Sequence, residues 1–95
     1  MVTDTDVSET LKYYRVVVDR YGTRRYYNSA NQLHRDDGPA VVTTVGTRYW
    51  YQNNLLHRED GPAVERNDGT MHWILHGISY TEVQFRNKVR QSAAK

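Results

Sequence analysis

The chain of 95 residues has no cysteine, only two prolines, a single phenylalanine and no long hydrophobic run. Without cysteine there is neither a disulfide framework nor thiolate chemistry, and a small secreted scaffold is disfavoured. No apolar stretch is long enough to span a membrane, and the first ten residues lack the basic and apolar regions of a signal peptide. These absences predict a cytoplasmic protein with no membrane partner.

Aromatic side chains that carry a polar group are abundant, with eight tyrosines and two tryptophans. Such residues suit half-buried sheets and binding surfaces, because one end is apolar and the other forms hydrogen bonds. The formal net charge is +2, which permits nucleic acid binding without arguing strongly for it. The composition predicts a thin folded layer rather than a disordered chain.

One nine-residue motif occurs twice, as Leu-His-Arg-Asp-Asp-Gly-Pro-Ala-Val at residues 33–41 and with one Asp-to-Glu change at residues 56–64. The two copies lie 23 residues apart, and the match continues between residues 46–54 and residues 69–77. A fixed period of this length is the signature of a repeat protein.

A degraded first unit precedes these two copies. Its Gly22 is one residue out of phase, which indicates a one-residue insertion, and its Tyr26 and Tyr27 align with Tyr49 and Trp50. The chain therefore holds about three 23-residue units, of which the outer two are atypical because they end the array.

Each unit has the pattern of short antiparallel strands. Residues 47–52 are rich in aromatic and β-branched residues, and Asn53-Asn54 then tolerates positive φ, which predicts a two-residue hairpin turn. His76-Gly77 repeats that turn, and a glycine turn precedes each of these strands. The partner strands are predicted at residues 13–19, 40–45 and 63–67.

The repeated motif predicts a corner that restarts the chain in a set direction. Its aspartate can bond backbone N–H groups two residues on, its glycine can take a positive φ, and its proline suits the start of a strand. The residues assigned to this structural corner are His34, Arg35, Asp37, Gly38, Pro39, His57, Arg58, Asp60, Gly61 and Pro62.

The C-terminal segment has a different pattern. Thr81 and Gln84 form a capping box, which predicts a helix over residues 82–91 that packs on the last hairpin and closes the open end of the sheet. Its apolar positions are Val83, Phe85 and Val89. The fold class is mainly β, a single-layer antiparallel meander of hairpin repeats with one C-terminal helix. The predicted segments are a mobile N-terminus (1–10), the repeat sheet (11–80), and the helix with its tail (81–95).

The unit Gly-Thr-x-x-Trp-Tyr-x-Asn-x-Leu-Leu-His-Arg-Glu-Asp-Gly-Pro-Ala-Val resembles MORN repeats. The resemblance is to the divergent Trp-Tyr…Leu-His-Arg-x-Asp-Gly-Pro-Ala variety of small bacteriophage proteins, and it covers residues 22–80. Asn54 departs from the pattern, since glycine is common there, and the first unit lacks the tryptophan. The resemblance implies hairpins that serve as an interaction platform rather than an enzyme, in a phage-type accessory protein that would act in the host cytoplasm.

Histidines and paired carboxylates are the residues that could carry chemistry. His34 and His57 recur in frame, which favours bracing of the corner, with the neighbouring arginines paired to carboxylates. His72 and His76 would lie about 13 Å apart along a strand, too far for one metal ion. No nucleophile elbow, phosphate-binding loop or metal signature occurs. The sequence predicts a non-enzymatic protein with no metal and no cofactor.

Strand alternation assigns the aromatic residues to two faces of the sheet. The core face, beneath the helix, is predicted to carry Tyr27, Trp50 and Trp73. The outer face is predicted to carry Tyr26, Tyr49, Tyr51, His72 and Ile74, with Arg24 nearby. Because tyrosine and arginine anchor interfaces, the predicted binding residues are Arg24, Tyr26, Tyr49, Tyr51 and His72.

Two functions compete. The first is a small binding protein that inhibits or sequesters a host protein, with a defence component among the candidates. The alternative is a binder of single-stranded nucleic acid or a nucleotide, because arginines interleave with tyrosines in the first half. Those arginines are Arg15, Arg20, Arg24, Arg25 and Arg48. An enzyme, a structural subunit, and a homodimer formed through exposed sheet edges also stay open.

Overall fold

The computed structural model describes residues 15–93, which form a mainly β structure with one helix. The predicted mobile segment 1–10 and the start of the predicted strand 13–19 lie outside the described residues. The strands are β1 (Arg15–Val18), β2 (Arg24–Tyr27), β3 (Val41–Val42), β4 (Arg48–Tyr49), β5 (Tyr51–Gln52), β6 (Leu55–Leu56), β7 (Val64–Glu65), β8 (Met71–Leu75) and β9 (Ile78–Tyr80). The helix is α1 (Glu82–Ala93).

Seven of these strands form one antiparallel sheet in the order β1-β2-β3-β4-β7-β8-β9, and β5 pairs with β6 as a separate hairpin. The predicted antiparallel β architecture is therefore confirmed. The predicted strand 47–52 is interrupted at Trp50, where the backbone N–H donates to the Ala63 carbonyl at 2.8 Å and the carbonyl accepts from the His57 N–H at 2.9 Å. Each unit is thus divided into two short hairpins.

The predicted turns are confirmed by their backbone angles. The first hairpin of each unit turns at a glycine with φ near 90°, which are Gly22 (89°), Gly46 (92°) and Gly69 (89°). The second hairpin turns at Asn53-Asn54, with φ of 51° and 70°, and at His76-Gly77, with φ of 50° and 80°. Two successive positive φ values match the right-handed twist of the flanking strands.

The predicted alignment of the first unit is wrong by one residue. The Tyr26 N–H donates to the alanine carbonyl of the following corner at 2.9 Å, as the Trp50 N–H does at 2.8 Å. Tyr26, not Tyr27, is therefore the counterpart of Trp50, and the extra residue lies in the turn between Asn28 and Gln32. The sequence could not place the insertion, because adjacent tyrosines fit either alignment equally well.

Buried apolar side chains occur in all three units and in the helix, and they are Tyr26, Ala40, Val41, Ala63, Val64, Ile74 and Phe85. The central cluster consists of Ala63, Val64 and Ile74, with the half-buried residues Tyr49, Trp50 and Leu56 packed against it. The prediction that Ile74 lies on an outer face is wrong, because its side chain is 6% exposed and packs in the buried cluster with Ala63 and Val64.

Helix α1 begins with the predicted capping box. The Thr81 N–H donates to the Gln84 side-chain oxygen at 3.0 Å, and the Gln84 N–H donates to the Thr81 hydroxyl at 3.2 Å. The helix packs on β8 and β9 through Phe85, which is buried, whereas the predicted apolar contact of Val83 is wrong because that side chain is 71% exposed. Within residues 15–93, no helix has the length and apolar character that a membrane span requires.

Candidate functional site

Each corner is built around one arginine whose guanidinium lies over an aromatic ring. In corner 2 (residues 57–63), the Arg58 guanidinium carbon lies 3.9 Å from the centroid of the Trp50 ring. Its Nε donates to Asp60 at 2.8 Å and its Nη1 donates to the Pro62 carbonyl at 3.1 Å. A planar cation is thereby held at once by a ring face, a carboxylate and a backbone carbonyl.

Corner 1 (residues 34–40) repeats this arrangement on a different ring. The Arg35 guanidinium carbon lies 4.0 Å from the centroid of Tyr26. Its Nε donates to Asp37 at 3.1 Å and its Nη1 to the Pro39 carbonyl at 3.3 Å. Tyr26 is only 3% exposed, so the prediction that it belongs to an outer binding face is wrong. Its ring instead packs against the Arg35 guanidinium.

The glycines of the corners are needed for a different reason from the one predicted. Gly38 and Gly61 do not have positive φ, unlike the glycines of the hairpin turns. A Cβ atom at Gly61 would lie 2.8 Å from the Arg58 guanidinium carbon, and one at Gly38 would lie 3.1 Å from that of Arg35. Close approach of the guanidinium, rather than backbone conformation, therefore explains both glycines.

The corner histidines link successive units. Nδ1 of His34 accepts the backbone N–H of Asn53 at 3.2 Å, and Nδ1 of His57 accepts that of His76 at 2.9 Å. These N–H groups belong to the hairpin turns of the next unit, so each histidine links two units. The sequence predicted only that the histidines brace their own corner. Each Nε2 faces an acidic residue of its own corner, at 3.0 Å for His34 and 3.3 Å for His57.

A concave site lies between the two corners. This corner groove has a volume of about 720 Å³ and is lined by residues 35–39, residues 57–60, Trp50 and Gln52. The sequence assigned the corners to structure alone and did not predict a groove. A signal was nevertheless present, because both copies place an acid at position 36 or 59, where the turn itself needs none.

The predicted binding residues do not form one surface. Tyr49 and His72 both pair with Val64 and therefore share a face of the sheet. Arg24 pairs with Val42, whereas Tyr49 pairs with Val41, the preceding residue of β3. Arg24 therefore points to the face opposite to that of Tyr49. Tyr51 is half-buried in β5, outside the main sheet. Of the predicted binding residues, the structure brings together Tyr49 and His72 alone.

The arginines that motivated the nucleic acid alternative are also divided. Arg24 and Arg48 lie on one face, while Arg15 and Arg25 lie on the other, as the strand register requires. Arg25 pairs with Asp19 at 2.9 Å, and this interaction holds the pKa of the Asp19 carboxyl below its ordinary value. The second arginine that carries an ion pair is Arg48, whose Nε lies 3.4 Å from Glu65. The five arginines therefore do not present one cationic track.

Within residues 15–93, no three histidine, cysteine or acidic side chains are grouped to hold a metal ion. His76 lies in the turn before β9, and its ring centroid lies 4.2 Å from that of His57, with the two rings tilted by 34°. Comparison of the chain with protein-family models, curated proteins and solved structures gives no match. The resemblance to MORN repeats therefore stays a prediction based on the repeated motif.

Proposed function

We propose that the chain is a non-enzymatic protein-binding module whose corner groove receives a basic segment of its partner. The observation that carries this proposal is the arrangement of charge around the groove. The corner arginines Arg35 and Arg58 are turned inward, with side chains 21% exposed. The carboxylates of Asp36, Glu59 and Asp60 are 71%, 70% and 85% exposed. The groups that meet an incoming partner are thus anionic.

A binding role is supported further by how the reactive groups are used. Both ring nitrogens of His57 are engaged, one by a backbone N–H and one by Glu59, which leaves no lone pair for a general base. Asp60 is engaged by Arg58. The described residues that line the groove include no serine, threonine or cysteine that could act as a nucleophile. The groove therefore has recognition chemistry rather than reaction chemistry.

The partner class follows from the same charges. Phosphates of a nucleic acid would be repelled by the exposed carboxylates, whereas lysine and arginine side chains would be attracted. The resemblance to phage repeat proteins supports our proposal that the module belongs to a phage-type factor that binds and inhibits or sequesters a host protein. The partner segment is then a basic, accessible stretch of that host protein.

The test uses the ¹⁵N-labelled full chain and three probes, which are a ten-residue Lys-Ser peptide, a matched Glu-Ser peptide and a ten-nucleotide oligothymidylate. We expect the lysine peptide to shift the signals of Trp50, Gln52 and Glu59, with an affinity that falls as salt rises. Equal shifts with the glutamate peptide, or binding of the oligonucleotide in the groove, would overturn the proposal.

A charge-matched pair of variants sharpens this test. D36N/E59Q removes two charges from the groove but keeps the oxygen atoms that accept from His34 and His57. D68N/E82Q removes two charges elsewhere and likewise keeps its acceptors. We expect only D36N/E59Q to weaken binding of the lysine peptide. Equal weakening by both variants would mean that net charge, and not the groove, governs binding.

A further inference from the structure

A second concave site adjoins the corner groove at the end of the array. This end pocket lies between the β8–β9 hairpin and α1 and has a volume of about 380 Å³. Its apolar walls are Leu75, Ile78, Val89 and Ala93. The volume lies at the lower end of the range of about 300–1,000 Å³ for ligand pockets, which suits one large side chain.

The end pocket and the corner groove share two residues, His57 and Glu59, which line both cavities. A segment that lies along the corners therefore reaches the pocket without leaving the surface. At the mouth of the pocket, Ile78 is 57% exposed. An isolated exposed isoleucine would need no explanation, but this one borders a cavity that continues the groove.

The two cavities differ in the charge that they favour. Four carboxylates line the groove, whereas the pocket is lined by one of them, Glu59, together with Lys88, whose ammonium group lies 5.8 Å from the Tyr80 ring centroid. A second cation entering the pocket would find the charge of Glu59 offset by that of Lys88 and would have to lose water against apolar walls. An uncharged apolar side chain meets neither obstacle.

We propose that the partner segment carries an apolar anchor next to its basic residues, and that this anchor is a phenylalanine or similar side chain inserted into the end pocket. The inference rests on the proposed function, because it assumes that the groove binds a basic segment. It adds a specificity determinant, since a purely basic segment would satisfy the groove and leave the pocket empty.

The test compares two peptides of identical charge, the Lys-Ser peptide extended at one end by Gly-Phe and the same peptide extended by Gly-Ala. Burial of a phenylalanine side chain predicts about tenfold tighter binding of the first peptide. Binding of the phenylalanine peptide should also shift the amide signals of Leu75, Ile78 and Val89. The alanine peptide should leave these signals unchanged.

Two lysine variants at exposed apolar positions locate the effect. I78K places a second cation at the mouth of the pocket, and V83K adds the same charge on the outer side of α1, where the side chain is 71% exposed. We expect I78K to remove the preference for phenylalanine and V83K to retain it.

The outcomes separate the two proposals. Equal affinity of both peptides, with shifts confined to the groove, would overturn the apolar anchor and leave the binding of a basic segment intact. Absence of groove shifts with either peptide would overturn the proposed function, and the anchor with it. A phenylalanine preference that survives I78K would place the anchor elsewhere and refute the end pocket as its site.

Discussion

Arg58 and Gly61 lie so close together that a Cβ atom at residue 61 would overlap the guanidinium. A Cβ atom at Gly61 would lie 2.8 Å from the arginine Cζ and 3.0 Å from its Nη1. The guanidinium cannot move away freely, because Trp50, Asp60 and the Pro62 carbonyl hold its remaining sides. The identity of one residue in the motif is thus set by the side chain of another.

G61A should lower the free energy of unfolding by about 1–3 kcal/mol, the usual range for overpacking. In an R58A background the same substitution should have a clearly smaller effect, because the clash is gone. The measurement is a urea double-mutant cycle. G46A is the control, because a Cβ there meets nothing within 4 Å and the cost of the substitution comes only from a φ of 92°. We expect the effect of G46A to be the same with and without R58A. Equal effects of G61A in both backgrounds would contradict the steric explanation.

Nδ1 of His57 should carry no proton, because it accepts the His76 N–H. Long-range ¹H–¹⁵N correlation spectra should show an unprotonated Nδ1, and the same for His34. H57A should speed hydrogen exchange at the His76 amide and lower the free energy of unfolding by about 1–2 kcal/mol. H72A, an exposed substitution, should leave that amide unchanged. A proton on Nδ1 would refute the link between units.

Asp19 should make stability depend on pH in the acid range. Its hydrogen bond from Arg25 lowers the pKa of the carboxyl below the ordinary value of 3.8. A lowered pKa means that this contribution is present above about pH 4 and is lost as the pH falls through the folded-state pKa. D19N should therefore be less stable than wild type at neutral pH, with the difference shrinking below pH 4.

Urea unfolding at pH 7 and at decreasing acid pH measures this effect of Asp19. In an R25Q background, D19N should have a smaller effect at neutral pH, because the guanidinium is the first cause of the shift. An unchanged pH dependence in D19N would show that this carboxyl does not contribute.

Phe85 and Val83 should differ sharply although both are apolar residues of the same helix. F85A removes a ring that is 2% exposed and lies 5.1 Å from the Trp73 ring centroid, so the free energy of unfolding should fall by about 3 kcal/mol. V83A should change it by less than about 0.5 kcal/mol, because Val83 is exposed. Thermal unfolding followed by circular dichroism measures both. Similar effects of the two would contradict the packing of α1.

The sequence predicted the elements that depend on local chemistry. The positive φ values at Asn53-Asn54 and the capping box of Thr81 and Gln84 follow from residue type and spacing, and both are present. These features depend mainly on neighbours along the chain, so residue type and spacing are enough to predict them. The alignment of the two full units could also be predicted, because the nine-residue motif recurs at a fixed spacing.

The sequence did not predict what depends on contacts between units. Strand alternation placed Tyr26 and Ile74 on an outer face, but the Arg35 guanidinium lies over the Tyr26 ring and Ile74 packs with Ala63 and Val64. The groove was missed for the same reason, since it exists only where two corners face each other. A period of two along one strand carries no information about a neighbouring unit that covers it.

Helix α1 packs on the last hairpin of the described sheet, and one of its arginines contacts the last tryptophan. Arg86 reaches back over Trp73, with its guanidinium carbon 5.4 Å from the ring centroid, in the place that a third corner arginine would take. Helix α1 thus covers the ring of Trp73, and units inserted before this ring would leave that contact in place. Repeating residues 41–63 once after Ala63 would add one corner, one stacked ring, two strands of the main sheet and one separate two-stranded hairpin. It would lengthen the sheet by about 10 Å and add a second groove of the same kind, so partner length could be matched by duplication alone.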